Sequence, residues 1–507
     1  MKRNKELLIK ILFFSFLVLA PRLFFFFITE NFYNEEPPFY IYDALQIIKS
    51  GEIPLQHNHP GGYQLILAAI ISLSKFISDK ISPILLPRLI TLLLGIFSAG
   101  IYYLLIKYLF KKSNALISFI ILCLHYPFII LSVNTLNYMP MYFFVLLGIL
   151  TFIYFLDKND VKYYICSAIS IAFAAMMRQA AWPLPFILTL ILISKRRILQ
   201  SVLFFLLTFA YPIYYMVRLY HDNAPFAFYY VGGGLDDKCV NTLNTNLIFA
   251  FPEYLINNYP SYLFIAGLAG IVISLFRYAK GYNHKIILAI FFLTNFMIYN
   301  FLVMTNNFIF ISEYGSLHPR YSVLFILLLL PFSIEILEKI SANIFRFKKN
   351  VAMLVVAILM IPSMVLSWQG VSSDLKQYMV PEAYNDLSDY LKKNISKQSK
   401  LIIASNRRQY IVHALIKSNR TYDVINFFDP PSFGHEYILD ELTAEGLCNS
   451  AEDVIKEYKL DNDTDYAIIF DSSLTRLKQV DISHLESRYP NKEYKIVRFG
   501  DILLIRP

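Results

Sequence analysis

The sequence predicts a polytopic α-helical membrane protein with a C-terminal α/β domain. Of its 507 residues, 56% are hydrophobic and only 16% are charged, and the mean hydropathy is +0.48. Soluble domains carry charges at about 25% of their positions, so a string of soluble domains is excluded. The charges are unevenly distributed, because residues 369–507 carry 18 basic and 21 acidic residues whereas residues 1–368 carry 28 and 16. We therefore expect a multi-span membrane domain over 1–368 and a soluble domain over 369–507.

Apolar stretches recur along the whole membrane domain. The first follows a basic N-terminus and is too long for a cleavable signal, so we interpret it as an uncleaved span. Each span is expected to be helical, because lipid cannot satisfy unpaired backbone groups. The basic excess of this domain indicates orientation and contact with anionic lipid, and not a nucleic-acid partner. The twelve candidates are residues 11–28, 62–77, 88–110, 115–133, 138–156, 163–177, 180–194, 198–217, 259–276, 286–303, 321–338 and 351–368.

The charge distribution removes one candidate, the stretch at 62–77. With that stretch on the outer surface, every loop facing the cytoplasm is basic, as the positive-inside rule requires. Counting it as a span would place Lys111 and Lys112 outside and would reverse the orientation of every later span. It also carries Lys75 and is barely long enough to cross. We therefore predict about eleven spans in the cell membrane, a cytoplasmic N-terminus, an interfacial helix at 62–77 and an extracytoplasmic C-terminal domain.

Two external loops are long, at 29–87 and 218–258. The second contains a triple glycine, Gly232 to Gly234, which indicates a mobile loop and not a phosphate cradle, because no helix pattern follows it. Cys239 in this loop and Cys448 in the C-terminal domain both fall on the oxidising side. They could form a disulfide or remain two unrelated thiols.

The C-terminal domain alternates helix and strand patterns. An amphipathic helix is predicted at 381–393 and a second helix at 408–417. Strands are predicted at 400–404, 423–428, 466–470 and 494–505. This pattern is typical of a small α/β domain, which by itself assigns no chemistry.

An acid pair, Glu35-Glu36, directly follows the first span. Pro37 suits the first turn of a short helix that would end at Gly51, which makes Glu36 a cap-position carboxylate with Tyr40 above it on the same face. The helix dipole would keep this carboxylate ionised and able to accept a proton from a hydroxyl at neutral pH. The alternative is an ordinary capping glutamate.

Two further polar features lie on the outer side. The segment His57-Asn58-His59-Pro60-Gly61-Gly62-Tyr63 leads into the interfacial helix; its histidines could bind a metal beside an acid, although histidines on a wet loop are usually plain polar residues. The outer-edge arginines are Arg88, Arg178, Arg218 and Arg320. Singly, each would be an interfacial anchor. Together with a base, they would supply the positive charge that transfer from a lipid phosphate needs.

These motifs resemble landmarks of the GT-C glycosyltransferases, especially the glycosyltransferase family 39 group, which includes the protein O-mannosyltransferases and the lipid A aminoarabinose transferases. The similarity lies in their order and topological side and covers roughly residues 22–337, and the soluble C-terminal domain is also similar. The residues that carry it are Arg22, Glu36, Tyr40, Ala44, Gly51, the segment His59-Pro60-Gly61-Gly62-Tyr63, Arg88, Arg178 and His318-Pro319-Arg320-Tyr321.

The resemblance implies a GT-C-like fold and an inverting transfer of a sugar from a polyprenyl-phosphate donor to a lipid, glycan or protein acceptor on the outer side. It makes Glu36 the expected catalytic base and Arg320-Tyr321 the expected contact to the donor phosphate. The family usually reads Asp-Glu where this chain has Glu35-Glu36, so Glu35 is the alternative base. The other residues expected to bind substrate are Tyr40, His59, Tyr63, Arg88 and Arg178.

No cofactor is expected, and metal-free catalysis is favoured over a divalent metal. The family often has an acid near the start of the fourth span, where this chain has Asn134, Thr135 and Asn137. Two other functions stay open. A carrier or flippase for a lipid-linked saccharide would need polar residues along a path through the membrane, but apart from Arg22 and residues near the ends, the spans lack Asp, Glu, Lys and Arg. A membrane-anchored binding or assembly protein would not need Glu36.

Overall fold

The protein is described here from a computed structural model. The structure describes residues 2–29, 36–51, 61–78, 82–221, 249–280, 283–304, 322–343, 349–368, 371, 380–395, 400–404, 408–418, 423–426, 466–471, 495–499 and 502–506. Up to residue 368 these residues are helical, with helices α1 (Lys2–Ile28), α2 (Glu36–Ser50), α3 (Gly62–Ile77), α4 (Leu85–Leu109), α5 (Lys112–Leu124), α6 (Tyr126–Val133), α7 (Tyr138–Lys158), α8 (Val161–Met177), α9 (Pro183–Ser194), α10 (Ile198–His221), α11 (Ala250–Asn258), α12 (Ser261–Lys280), α13 (Lys285–Met304), α14 (Ser322–Asn343) and α15 (Lys349–Ser367).

The helical region has the composition of a multi-pass membrane protein. Among the described residues, α4, α7, α10 and α12 are the four helices long and apolar enough to cross a membrane, and α5 with α6 would make a fifth as one broken span. Several shorter apolar helices accompany them. One of these is α3, whose 16 residues extend about 24 Å, less than the roughly 30 Å of a bilayer core. The total of eleven spans stays a prediction.

The apolar stretch at 115–133, predicted as one span, is broken into two helices in the structure. The structure has two helices there, α5 and α6, whose axes differ by 61° across a break at His125. The cause is Pro127 near the start of α6, because proline has no backbone N–H and its ring would collide with the carbonyl one turn earlier in a continuous helix. The sequence pattern missed the break because hydrophobicity continues through it.

The last helix of the membrane domain covers this break. The indole Nε1 of Trp368 donates a hydrogen bond of 2.8 Å to the carbonyl of Leu124, the last residue of α5. The backbone N–H of Tyr126 donates to the hydroxyl of Ser367 over 3.3 Å. Residues from the end of α15 therefore satisfy backbone groups that the bend removes from the helical ladder.

The residues after 380 contain a five-stranded sheet with two helices, α16 (Glu382–Asn394) and α17 (Arg408–Lys417). The strands are β1 (Lys400–Ala404), β2 (Asp423–Asn426), β3 (Tyr466–Asp471), β4 (Lys495–Phe499) and β5 (Ile502–Arg506), in the order β2-β1-β3-β5-β4. Strand β1 runs parallel to β2 and β3, whereas β5 is antiparallel to both β3 and β4. Tyr384 of α16 stacks on Tyr410 of α17 with ring centroids 4.9 Å apart.

The predicted single strand at 494–505 is wrong. The structure has two antiparallel strands there, with Phe499 paired to Ile502. The two residues between them in the sequence are Gly500-Asp501, and a glycine followed by a polar residue is typical of a two-residue hairpin loop. Strand-forming residues stand on both sides of this pair, so the pattern did not separate the two strands.

Candidate active site

The helix that begins at Glu36, the second residue of the acid pair, has the predicted extent. Glu36 is the first residue of α2, and the helix ends before Gly51. Gly51 has a φ of +75°, a left-handed conformation that favours glycine, and its N–H donates to the carbonyl of Ile47 over 2.9 Å. The backbone of Glu36 therefore sits at the positive end of a helix dipole. Its side chain and the whole of Glu35 lie outside the described residues.

Two tyrosines proposed to bind substrate hold α2 and α3 together. Tyr40 and Tyr63 pack edge to face with ring centroids 5.3 Å apart, and both are buried. Burial raises the pKa of Tyr63, so this residue stays neutral. At the start of α3, a Cβ on Gly62 would lie 2.6 Å from the backbone oxygen of Met176, so α3 begins in close contact with the end of α8. The tyrosines order this region, and their contact with substrate stays a prediction.

Arg88, in the first turn of α4, ties together the ends of two other helices. Its Nε donates to the carbonyl of Val133 at the end of α6 over 3.1 Å. Its Nη2 donates to the carbonyl of Phe26 over 2.9 Å and to the hydroxyl of Thr29 over 3.1 Å, both at the end of α1. The guanidinium also lies over the Phe26 ring, 4.4 Å from its centroid, and the residue is only 8% exposed. Helix C-terminal carbonyls are the negative ends of their helices, so this cation is held by geometry and by charge.

Arg178 makes a comparable set of contacts between α8 and α7. It follows α8 directly, and its Nη1 donates to the side-chain oxygen of Asn137 over 2.9 Å. The amide nitrogen of Asn137 in turn donates to the carbonyl of Met177 over 3.2 Å. The guanidinium lies 3.7 Å from the centroid of the Tyr138 ring. The end of α8 is thereby fixed to the start of α7, with a buried positive charge between them.

Several predicted site residues therefore meet at one end of the helical bundle. The ends of α1, α6 and α8 and the starts of α2, α3, α4 and α7 converge there through the contacts described above. The remaining members of the predicted set lie outside the described residues, namely Glu35, His59, Arg320 and Tyr321. Cys239 and Cys448 are also outside the described residues, so their pairing stays a prediction. Within the portion of the chain that is described, no group of three or more His, Cys, Asp or Glu side chains could hold a metal ion.

Ion pairs occupy the opposite end of the same bundle. Lys111, after α4, pairs with Glu338 of α14 at 3.0 Å, and Lys285 of α13 pairs with Glu335 at 2.7 Å. Near the end of α7, Asp157 accepts a hydrogen bond from Tyr108 and lies 2.8 Å from the His284 ring. All of these residues come from loops and helix ends predicted to face the cytoplasm. These ion-paired residues lie at one end of the bundle, in agreement with their predicted common side of the membrane. The orientation of the bundle in the membrane stays a prediction.

Comparison with known proteins supports the resemblance to the GT-C glycosyltransferases. Residues 58–231, about a third of the chain, match the family model described as dolichyl-phosphate-mannose-protein mannosyltransferase. The crystal structure of ArnT from Cupriavidus metallidurans bound to undecaprenyl phosphate superposes with a TM-score of 0.54 at 12% identity, covering 98% of this chain and 97% of that one. The resemblance to GT-C glycosyltransferases is confirmed. No curated protein matches the chain by sequence.

A second group of similar structures comes from an archaeon. The oligosaccharyltransferase AglB from Archaeoglobus fulgidus, in complex with an inhibitory peptide and a dolichol-phosphate, superposes with a TM-score of 0.54 at 12% identity. The match covers 92% of this chain and 70% of that one. At such identities the two superpositions show a shared fold. The fold extends over nearly the whole chain, further than the family model does.

The sequence did not reveal the partners of the two arginines. Arg88 is held largely by backbone carbonyl groups, which leave no trace in a residue pattern. Asn137 was noted only as standing where an acid is common, whereas the structure makes it the hydrogen-bond partner of Arg178. His413 of α17 is a further residue near this end, because the positive charge of Arg88 acts on its pKa. No sequence signal connected His413 to the site.

Proposed function

We propose that the protein is an integral membrane inverting glycosyltransferase that transfers a sugar from a polyprenyl-phosphate donor to an acceptor on the extracytoplasmic side. One observation carries most of the proposal: the helix that begins at Glu36 packs on α3 at the same end of the bundle as two buried arginines, Arg88 and Arg178. The family match over 58–231 supports sugar transfer from a lipid phosphate. The similar structures bound to undecaprenyl phosphate and dolichol-phosphate support a donor of this class.

The proposed reaction is a single displacement at the anomeric carbon. The carboxylate of Glu36 accepts the proton of the acceptor hydroxyl while that oxygen attacks the anomeric carbon from the face opposite the phosphate. The new carbon–oxygen bond forms as the bond between the anomeric carbon and the phosphate oxygen breaks. The phosphate oxygen keeps the electron pair, so polyprenyl phosphate departs without a proton, and the proton stays on Glu36 until water removes it. The helix dipole at the start of α2 favours the ionised carboxylate before the step.

The arginines serve the leaving group in this proposal. Arg88 and Arg178 hold positive charge in fixed positions, where water is largely excluded and electrostatic interactions are stronger. Arg320-Tyr321 would contact the phosphate directly, and His59 would lie beside the sugar on the first external loop. These assignments carry family motifs onto matching residues, and the mechanism needs no metal.

Transfer can be tested with the purified full chain, a polyprenyl-phosphate hexose, and lipid, glycan and peptide acceptors. We expect glycosylated acceptor and free polyprenyl phosphate in equal amounts. Glu36→Gln should lower the rate by about 10²-fold or more, as loss of a general base does. Glu253→Gln, which changes an exposed acid on α11, is the matched control and should leave the rate unchanged. Full activity of both Glu36→Gln and Glu35→Gln would refute the mechanism.

A carrier or flippase for the lipid-linked saccharide is the rival function. It would move intact donor across a proteoliposome membrane without forming a glycosylated product. Donor movement that persists in Glu36→Gln, with no transfer by the unaltered protein to any acceptor, would favour the carrier. We expect product formation instead.

A further inference from the structure

Helix α17 of the C-terminal domain is buried on two sides. Ile411, Ala414 and Leu415 belong to the core that α17 shares with α16 and the sheet. Val412 and Ile416, one turn apart on another face, belong instead to the large core of the helical region. In agreement with this division, α17 packs against both α16 and α2. A ten-residue helix thus joins the C-terminal domain to the helix that begins at Glu36.

His413 lies beside this second face and is only 3% exposed. Burial, together with the positive charges of Lys417 and Arg88, lowers the pKa of His413 to about 4. The imidazole is therefore neutral at pH 7. Its protonation would place a charge in a buried position near the buried Arg88 and the exposed Lys417, which is unfavourable.

The helices packed against α17 carry further charged side chains. Helix α2 carries Glu36, Asp43 and Lys49, and α16 carries three acidic and two basic residues. Among the described residues, Arg88 and Lys417 are the charged groups that shift the pKa of His413. Burial at 3% exposure therefore favours the neutral form of His413 over the charged form. Because Arg88 also fixes the ends of α1 and α6, His413 lies within electrostatic reach of the residue that organises this end of the bundle.

We propose that α17 is a positioning element for the transfer reaction, seated on α2 through Val412 and Ile416, and that His413, buried beside this face, is a positioning residue for the contact. Its catalytic consequence rests on the proposed function, since it concerns the placement of Glu36 as base. Truncation of the docking face, or protonation of His413, would loosen α2 and displace the carboxylate from the acceptor hydroxyl. A small displacement of a catalytic group is enough to lower a rate strongly.

The docking contact can be tested by hydrogen exchange of the α2 amides in the full chain. In the double variant Val412→Ala with Ile416→Ala, we expect exchange of residues 36–50 to rise about tenfold or more, because truncated buried side chains leave the contact underpacked. Leu415→Ala is the matched control, since Leu415 faces the core of its own domain. It should raise exchange in α16 and the sheet more than in α2. Unchanged exchange of α2 in the double variant would overturn the proposal.

The role of His413 has its own readout. After correction for intrinsic exchange, protection of α2 in the unaltered protein should fall as the pH drops from 7 toward 4. His413→Gln, which cannot take up a proton, should show the same protection across this range. An identical pH response in both proteins would refute a role for His413.

Activity separates this inference from the proposed function. If the protein transfers sugar, the double variant should lower kcat by about tenfold with little change in the donor KM, because positioning and not donor binding is lost. Unaltered kcat in a variant whose α2 exchanges freely would refute a catalytic consequence of docking. Absence of transfer by the unaltered protein would instead refute the proposed function, and hydrogen exchange would still decide whether α17 holds α2.

Discussion

The substitution Arg88→Lys measures how much the hydrogen bonds from Arg88 to the ends of α1 and α6 contribute to stability. Hydrogen bonds of 2.9, 3.1 and 3.1 Å run from two nitrogens of Arg88 to acceptors on two different helix ends. A lysine keeps the charge but has one nitrogen, which cannot replace the fork that joins Val133 to Phe26. Loss of one or two hydrogen bonds to a charged donor should lower the free energy of unfolding by about 2 to 4 kcal/mol.

The measurement is denaturation of the purified protein in mixed micelles, followed by tryptophan fluorescence. The chain has two tryptophans, Trp182 and Trp368, and both make hydrogen bonds to backbone carbonyls. Arg218→Lys, which changes a partly exposed arginine on α10, is the control and should alter stability by less than about 0.5 kcal/mol. Equal free energies of unfolding for Arg88→Lys and Arg218→Lys would show that the hydrogen bonds of Arg88 do not stabilise the fold.

Three further predictions concern packing, charge and pH. Gly62→Ala should cost about 1 to 3 kcal/mol, because its Cβ would lie 2.6 Å from the backbone oxygen of Met176; Gly100→Ala, with nothing within 4 Å, should be neutral in the same denaturation assay. Glu335→Gln should destabilise by about 1 to 3 kcal/mol, since it leaves two lysines at 2.7 and 2.8 Å without their carboxylate, and high salt should not restore the loss. The folded pKa of His413 is about 4, below its unfolded value near 6.5. Keeping His413 neutral therefore accounts for about 3 kcal/mol of the free energy of unfolding. This amount is fully present above pH 6.5 and is lost as the pH falls toward 4. Unfolding of His413→Gln over that pH range should lack this component.

Local sequence signals predicted individual elements well. Pro37 and Gly51 predicted the extent of α2, and the separate apolar stretches at 163–177 and 180–194 match α8 and α9, which lie on either side of Arg178. The α17 helix has the predicted bounds, 408–417. Such signals work because caps, proline and glycine act over a few residues. The pattern missed the break at His125 and the division between β4 and β5, because in both places the same pattern continues from one element into the next.

The tertiary contacts of the site could not be predicted in the same way. Arg178 and Asn137 are 41 residues apart, and the partners of Arg88 lie 45 and 62 residues away and include backbone carbonyls. No periodicity specifies such pairs. The docking of α17 on α2 joins elements more than 350 residues apart. The sequence identified the arginines from their type and their side of the membrane, whereas their partners follow only from the fold.

The bend at His125 has a consequence for biogenesis. The backbone N–H of Tyr126 and the carbonyl of Leu124 are bonded by residues 367 and 368, which a ribosome synthesises some 240 positions later. Nascent chains emerge from the N-terminus first, so α5 and α6 enter the bilayer before their final partners exist. Until α15 arrives, water, lipid headgroups or an insertion factor must satisfy the polar groups at the break, because hydrocarbon cannot. Arrival of α15 thus completes the assembly of the bundle, and chains that lack this helix should be recognised as unfinished and degraded.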